Sequence, residues 1–359
     1  MFTRTLLPIA LLAACGQSAE PPAPETAPKA ETAAEAKTPT KAKAAKPGDK
    51  QRERAAGIFG VLPDEAPNAK NPLTDAKIDL GRALYYDARL SSTGTQSCNS
   101  CHNLDTFGVD NEATSPGAKG ERGGRNSPTV YNAALHGTQF WDGRSPDVED
   151  QAKGPILNPI EMGMPDSETV MATLKGIEGY PELFAAAFEG EADPMSYDNL
   201  GRAIGAFERR LVTPGPLDAW LAGDDAAMSA EQLAGMEAFL DAGCVTCHTG
   251  PALGGAVFMK LGLVKPYESE DQGRFEVTGN EADRQVFKVP GLRNIAETGP
   301  YLHDGSVADL ESVITLMATH QLGRDLDQEQ VGSIKVFLEA LTGTPDAAYI
   351  KKPKLPGEG

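Results

Sequence analysis

The stretches "CNSCH" (98–102) and "CVTCH" (244–248) decide how this chain of 359 residues is read. Two thiols at this spacing can add to the vinyl groups of one haem, while the His directly after the second thiol reaches the iron. A zinc site or a thioredoxin-like pair shares the Cys spacing, but neither requires that His both times. The pair therefore points to two covalently bound haem c groups. Cys98, Cys101, Cys244 and Cys247 are the attachment points, and His102 and His248 the proximal ligands. The chain has 5 cysteines, and the fifth, Cys15, has a separate reading, so none is left for a disulfide.

Each motif follows a similar helical pattern, "LGRALYYD" (80–87) before the first and "AGMEAFLD" (234–241) before the second. The apolar spacing predicts a helix over 74–86 with Thr74 as N-cap, and another over 199–211 after the cap Asp198. Ser229 and Gln232 form a capping box, and a final helix over 331–341 is expected to stop at Gly343. Helix, CxxCH, long loop, helix is the plan of a small c-type cytochrome, in which the haem supplies much of the core. The expected fold is mainly α: two cytochrome c-like haem domains with long loops, at 55–218 and 219–345, preceded by a disordered tether. Residues 346–359 are expected as a tail.

The first residues, 1–14, read as a signal peptide with a basic start at Arg4 and an apolar run too short to span a bilayer. They end in "LAAC" (12–15), which resembles the lipobox of bacterial lipoproteins and marks Cys15 for lipidation. Residues 15–54 are rich in Ala, Pro, Glu, Lys and Thr and read as a lipidated disordered linker. The expected location is the periplasm, with the chain tethered to a membrane only through Cys15. A formal net charge of -18 argues against nucleic acid as a partner.

The sixth iron ligands separate electron transfer from catalysis, because an iron with an open face can bind a small oxidant. For the second haem, Met317 is the leading candidate, with His303 and His320 as rivals. For the first, His136, Met162, Met164, Met171 and Met195 are available and none is specifically placed.

The segments "RNSPTVYNA", "QFWDGR", "DQAKGPILNPIEM", "VPGLRNIAETGPYLHDG" and "LMATHQLG" join the two haem motifs in a wider pattern. Over nearly all of 55–345 the chain resembles the bacterial dihaem cytochrome c peroxidases and their relative MauG. The resemblance implies a peroxidatic N-terminal haem that reduces H2O2. It also implies a C-terminal haem supplied with electrons by a small redox protein, a cytochrome c or cupredoxin. Residue by residue it makes Glu161 the distal acid/base, Gln151 a distal-pocket amide and Trp141 the aromatic between the haems. It favours Met317 as sixth ligand of the second haem, and assigns Asn126, Thr298 and Pro300 to a calcium site. Dimers being usual in the family, a homodimer is compatible with it. At one position the chain departs from the pattern: Ala118 stands where many members carry a His that caps the peroxidatic haem, so the first haem is expected to be open. Two other readings remain, a MauG-like protein-modifying oxidase and a dihaem electron carrier without enzymatic activity.

Overall fold

The computed structural model describes residues 47–358; the signal peptide, Cys15 and most of the expected linker lie outside the described residues. The chain is mainly helical, with one two-stranded antiparallel ribbon that pairs Phe258–Lys260 with Val286–Lys288. No helix among the described residues is long and apolar enough to cross a membrane.

Two helix crossings organise the molecule. The helix Asp75–Tyr86, capped by the Thr74 hydroxyl, crosses Tyr197–Glu208. The helix Ala230–Ala242, opened by the Ser229–Gln232 capping box, crosses Gln328–Glu339. The repeat noted in the sequence places a glycine at each crossing. A Cβ at Gly81 would lie 1.9 Å from the Ala203 carbonyl oxygen, and one at Gly235 would lie 2.2 Å from that of Ser333. Backbones this close leave room only for hydrogen, so the repeated glycine sets the same packing in both halves.

Around each crossing lies one apolar core. Leu80, Leu84, Tyr85, Tyr180, Phe184, Leu200, Ile204 and Phe207 anchor the first. Phe59, Leu217, Trp220, Met236, Phe239, Ile334, Phe337 and Leu341 anchor the second.

The chain ends depart from the expected segmentation. The helix Pro47–Phe59 begins inside the expected linker and buries Ala55 and Phe59 in the second core, with Arg52 lying over Trp220. The expected tail packs on the first core instead of hanging free. It inserts Ile350 and Leu355, stacks Tyr349 on Phe207, and donates the Tyr349 hydroxyl to the Phe207 carbonyl.

Three local expectations are corrected. Ser196, not Asp198, caps the helix Tyr197–Glu208, because its hydroxyl reaches the Asn199 N–H; Asp198 pairs with Lys153 instead. That helix ends at Glu208 rather than 211, and Leu211 packs into the first core beyond it. The final helix, Gln328–Glu339, ends before Gly343. A Cβ at Gly343 would lie 2.1 Å from the Thr213 carbonyl oxygen, so the glycine serves a close chain approach.

Candidate active site: two cavities and their common wall

Each core opens into a cavity that contains one CxxCH motif. The first, of about 210 Å³, is lined by Cys98, Cys101 and His102; the second, of about 220 Å³, by Cys244, Cys247 and His248. All four cysteines are free thiols. His248 shares a hydrogen bond between Nδ1 and the Leu253 carbonyl (3.0 Å), which leaves Nε2 for a metal. In the first cavity His102 Nδ1 is a buried polar atom with no partner. The thiols and imidazoles of each cavity fit a covalently held haem.

The linings differ in chemistry. Glu161 and Gln151 line the first cavity, together with Glu208, Arg144 and several hydroxyl and amide side chains. Leu261, Phe287, Val289, Leu292, Ile314 and Met317 make the second mostly apolar. Met317 borders the same cavity as His248, from the helix Leu310–Leu322. His303 also lines it, but its Nε2 is 3.1 Å from Ser269 Oγ and its ring stacks on Phe287 at 4.2 Å. His320 instead meets the Lys265 carbonyl through Nδ1 and packs edge-on to Tyr267. In the first half, Met164, Met171 and Met195 are buried core residues, while Met162 belongs to that core and also borders the cavity.

Local geometry fixes Glu161. After the short helix Gly154–Leu157, the Asn158 side-chain oxygen accepts from the Ile160 N–H (3.1 Å) and its NH2 donates to Glu161 Oε1 (2.9 Å). One amide therefore shapes the turn and holds the carboxylate. Burial pushes the Glu161 carboxyl above its ordinary range, opposed by the Arg144 guanidinium and the Asn158 hydrogen bond. Sequence reasoning missed Asn158; the Asn-Pro turn three residues before the acid was the available signal.

The loop 114–125 closes over this turn. The Ala118 N–H donates to the Glu161 carbonyl (2.7 Å), and a Cβ at Gly117 would fall 1.6 Å from the Ile160 carbonyl oxygen. Arg125 ties the loop to the second half through Asp271 (2.7 Å) and Glu276 (3.0 Å), and to Asp142 (2.5 Å).

Trp141 lines both cavities, as do Asn126, Pro128, His136, Lys288 and Pro290. The Trp141 indole N–H donates to the Asn126 carbonyl (2.9 Å), and its own carbonyl accepts from the Lys288 N–H (2.7 Å). In the same wall Lys288 Nζ lies 3.1 Å from His136 Nδ1 and donates to the Thr138 carbonyl (3.0 Å). Burial lowers the Lys288 ammonium to about 8; burial and then that ammonium keep the His136 imidazole neutral. This pair was also missed, since nothing local to either residue signals a partner so far along the chain.

Asn126, Thr298 and Pro300 all border the second cavity. Asn126 uses its NH2 on the Glu112 carbonyl (3.1 Å), leaving its side-chain oxygen for a cation. No group of three or more His, Cys, Asp or Glu side chains among the described residues could hold a metal ion. Calcium at Asn126, Thr298 and Pro300 would rely on amide and carbonyl oxygens, which suit it.

A helical frame with two CxxCH cavities and a shared aromatic wall defines a c-type dihaem protein. The family model described as di-haem cytochrome c peroxidase matches residues 75–226. The cytochrome c551 peroxidase of Pseudomonas aeruginosa is 42% identical over 302 residues, covering 82% of this chain and 87% of that protein. That of Nitrosomonas europaea is 45% identical over 306 residues, covering 84% and 90%. A solved structure of a MauG-like protein associated with microbial copper homeostasis is 29% identical with a TM-score of 0.71, covering 82% of this chain and 97% of that one. The chain belongs to the dihaem cytochrome c peroxidase family, whose members carry two c-type haems, and it is an oxidoreductase of the peroxidase class.

Proposed function

We propose that this peroxidase reduces H2O2 to water in the first cavity, using electrons that enter through the second and cross the wall at Trp141. The carrying observation is the division of chemistry: Glu161 and Gln151 line the cavity of His102, and Met317 that of His248. Haem bound through Cys98 and Cys101 would supply an iron with one open face for the peroxide. Glu161 takes a proton from one peroxide oxygen and delivers it to the other, which leaves as water. Two electrons and two protons complete the conversion of one H2O2 to two H2O. Gln151 holds the peroxide by its amide. Burial raises the Glu161 carboxyl, which favours the protonated form that it needs as acid.

Ala118 offers no ligand, so the first site needs no reductive displacement before peroxide binds. A bis-His, low-spin first haem in the EPR spectrum of the oxidised protein would contradict this. Two haem domains, each built on one core, bind the cofactors, and calcium on Asn126, Thr298 and Pro300 braces the wall. The donor is a small redox protein, a cytochrome c or cupredoxin, and the enzyme works in the periplasm, held by lipid on Cys15. An open first cavity would also suit a MauG-like protein-modifying oxidase, but in MauG itself a Tyr stands where this chain has Met317.

The deciding experiment is steady-state turnover of H2O2 with reduced cytochrome c. Glu161→Gln is expected to lose about 10²- to 10⁴-fold in turnover. Full activity in that variant removes Glu161 from the chemistry, and no turnover in the wild type leaves an electron carrier.

A further inference from the structure

A third pocket, of about 400 Å³ and open to solvent, adjoins the first cavity and shares Phe140, Arg144, Pro155 and Glu161 with it. We infer that this pocket is the inlet through which peroxide reaches Glu161, and that Arg144 stacked on Phe140 is its gate and size filter. The inference rests on the proposed role of Glu161.

Three observations carry it. First, the shared residues make the pocket continuous with the catalytic carboxylate. Its outer part carries Asp150, Lys153 and Asn158, a polar path suited to a small hydrogen-bonding molecule. The second cavity is lined mostly by apolar side chains.

Second, the gate is built under strain. Phe140 has φ 65°, in the left-handed region that a bulky side chain rarely adopts. The flanking residues hold it there: the Gln139 N–H donates to the Ser145 carbonyl (2.8 Å), closing the turn that contains it. Strain of this kind persists only where the surroundings enforce it, and here it places the ring at the junction of pocket and cavity.

Third, the Arg144 guanidinium carbon sits 3.4 Å from the Phe140 ring centroid, a cation–π stack. Its Nη1 donates to Asp142 Oδ2 (2.8 Å), the carboxylate that Arg125 also holds. One face of the guanidinium covers the ring while an anchored carboxylate holds its edge. The side chain is still 41% exposed, so it can swing outward without breaking core packing. With the guanidinium stacked on the ring, the inlet is expected to pass H2O2 and to obstruct a branched alkyl hydroperoxide.

The test uses the oxidised protein with both haems in place and follows cyanide association with the open haem by stopped flow. Arg144→Ala is expected to accelerate association several-fold. It should also raise the turnover of tert-butyl hydroperoxide relative to H2O2 by about tenfold. Gly154→Phe fills the inlet from an exposed position, where a Cβ has only an ordinary 3.5 Å contact with Phe140. That variant is expected to slow cyanide at least tenfold while leaving Arg144 in place. Wild-type cyanide rates in both variants overturn the inlet, even if Glu161→Gln abolishes turnover and so upholds the proposed reaction. Altered cyanide rates with an active Glu161→Gln uphold the inlet and remove the acid–base role. A wild-type protein that binds no cyanide overturns both.

Discussion

Opposing influences meet at Glu161: burial favours the proton, while Arg144 and Asn158 favour the charge. Because the net effect raises its pKa, the basic form is lost as pH falls, and lost at a higher pH than for an exposed carboxylate. Removing the Asn158 hydrogen bond raises it further. Asn158→Ala should therefore move the acid limb of the kcat/KM profile for peroxide to higher pH, and an unmoved limb would exclude Asn158 as a positioning residue. Glu208 gives a stability prediction of opposite use. Burial and then Glu149 raise its carboxyl from an ordinary 4.5 to about 8. The folded chain thus keeps a proton that the unfolded chain releases, so stability falls as pH rises from 4.5 to about 8. Glu208→Gln should flatten that decline and raise the melting temperature at pH 8 relative to the parent. Thermal melts at pH 5 and 8 measure it. At this scale the cavity-lining residues Glu161, Gln151, Trp141 and Met317 were legible because fixed motifs carry them. Asn158 and the Lys288–His136 pair were not, because what matters there is a partner rather than a residue type.

Among the elements, the two glycine crossings make the sharpest prediction. Gly81→Ala and Gly235→Ala push a methyl into a carbonyl oxygen on the facing helix, so the helices must separate. A cost of about 1–3 kcal/mol is expected for each. Gly332→Ala is the control: it lies in the helix Gln328–Glu339 with nothing within 4 Å of an added Cβ. There the better helix former should be neutral or gain about 0.5–1 kcal/mol. Chemical denaturation of the three variants decides, and equal effects would refute the crossing argument. The repeat itself was legible, as were the Thr74 cap and the Ser229–Gln232 box. The reason for its glycine was not, since Ala203 and Ser333 approach from far along the chain. Similarly, Asp198 read as the cap because its pairing with Lys153, 45 residues earlier, is not visible in the sequence.

For the whole molecule, each core borrows a piece from the far end of the chain. Phe59 packs with Phe337 at 6.1 Å in the second core, and Phe59→Ala should cost about 3–5 kcal/mol there by differential scanning calorimetry. Segmentation read from the sequence missed this exchange, because composition marks where a chain can be ordered but not which core it joins. Net charge also acts at this scale. With -18 in total, turnover with a basic donor should fall as ionic strength rises, and a donor-KM series in salt tests it. Ile350 and Leu355 complete the core that houses the first CxxCH, so that core stays unfinished until residues far downstream of the motif have packed. The thiols of the first motif are therefore made early and enclosed late. The first motif thus stays open to covalent chemistry until a distant segment docks, and is closed by it afterwards.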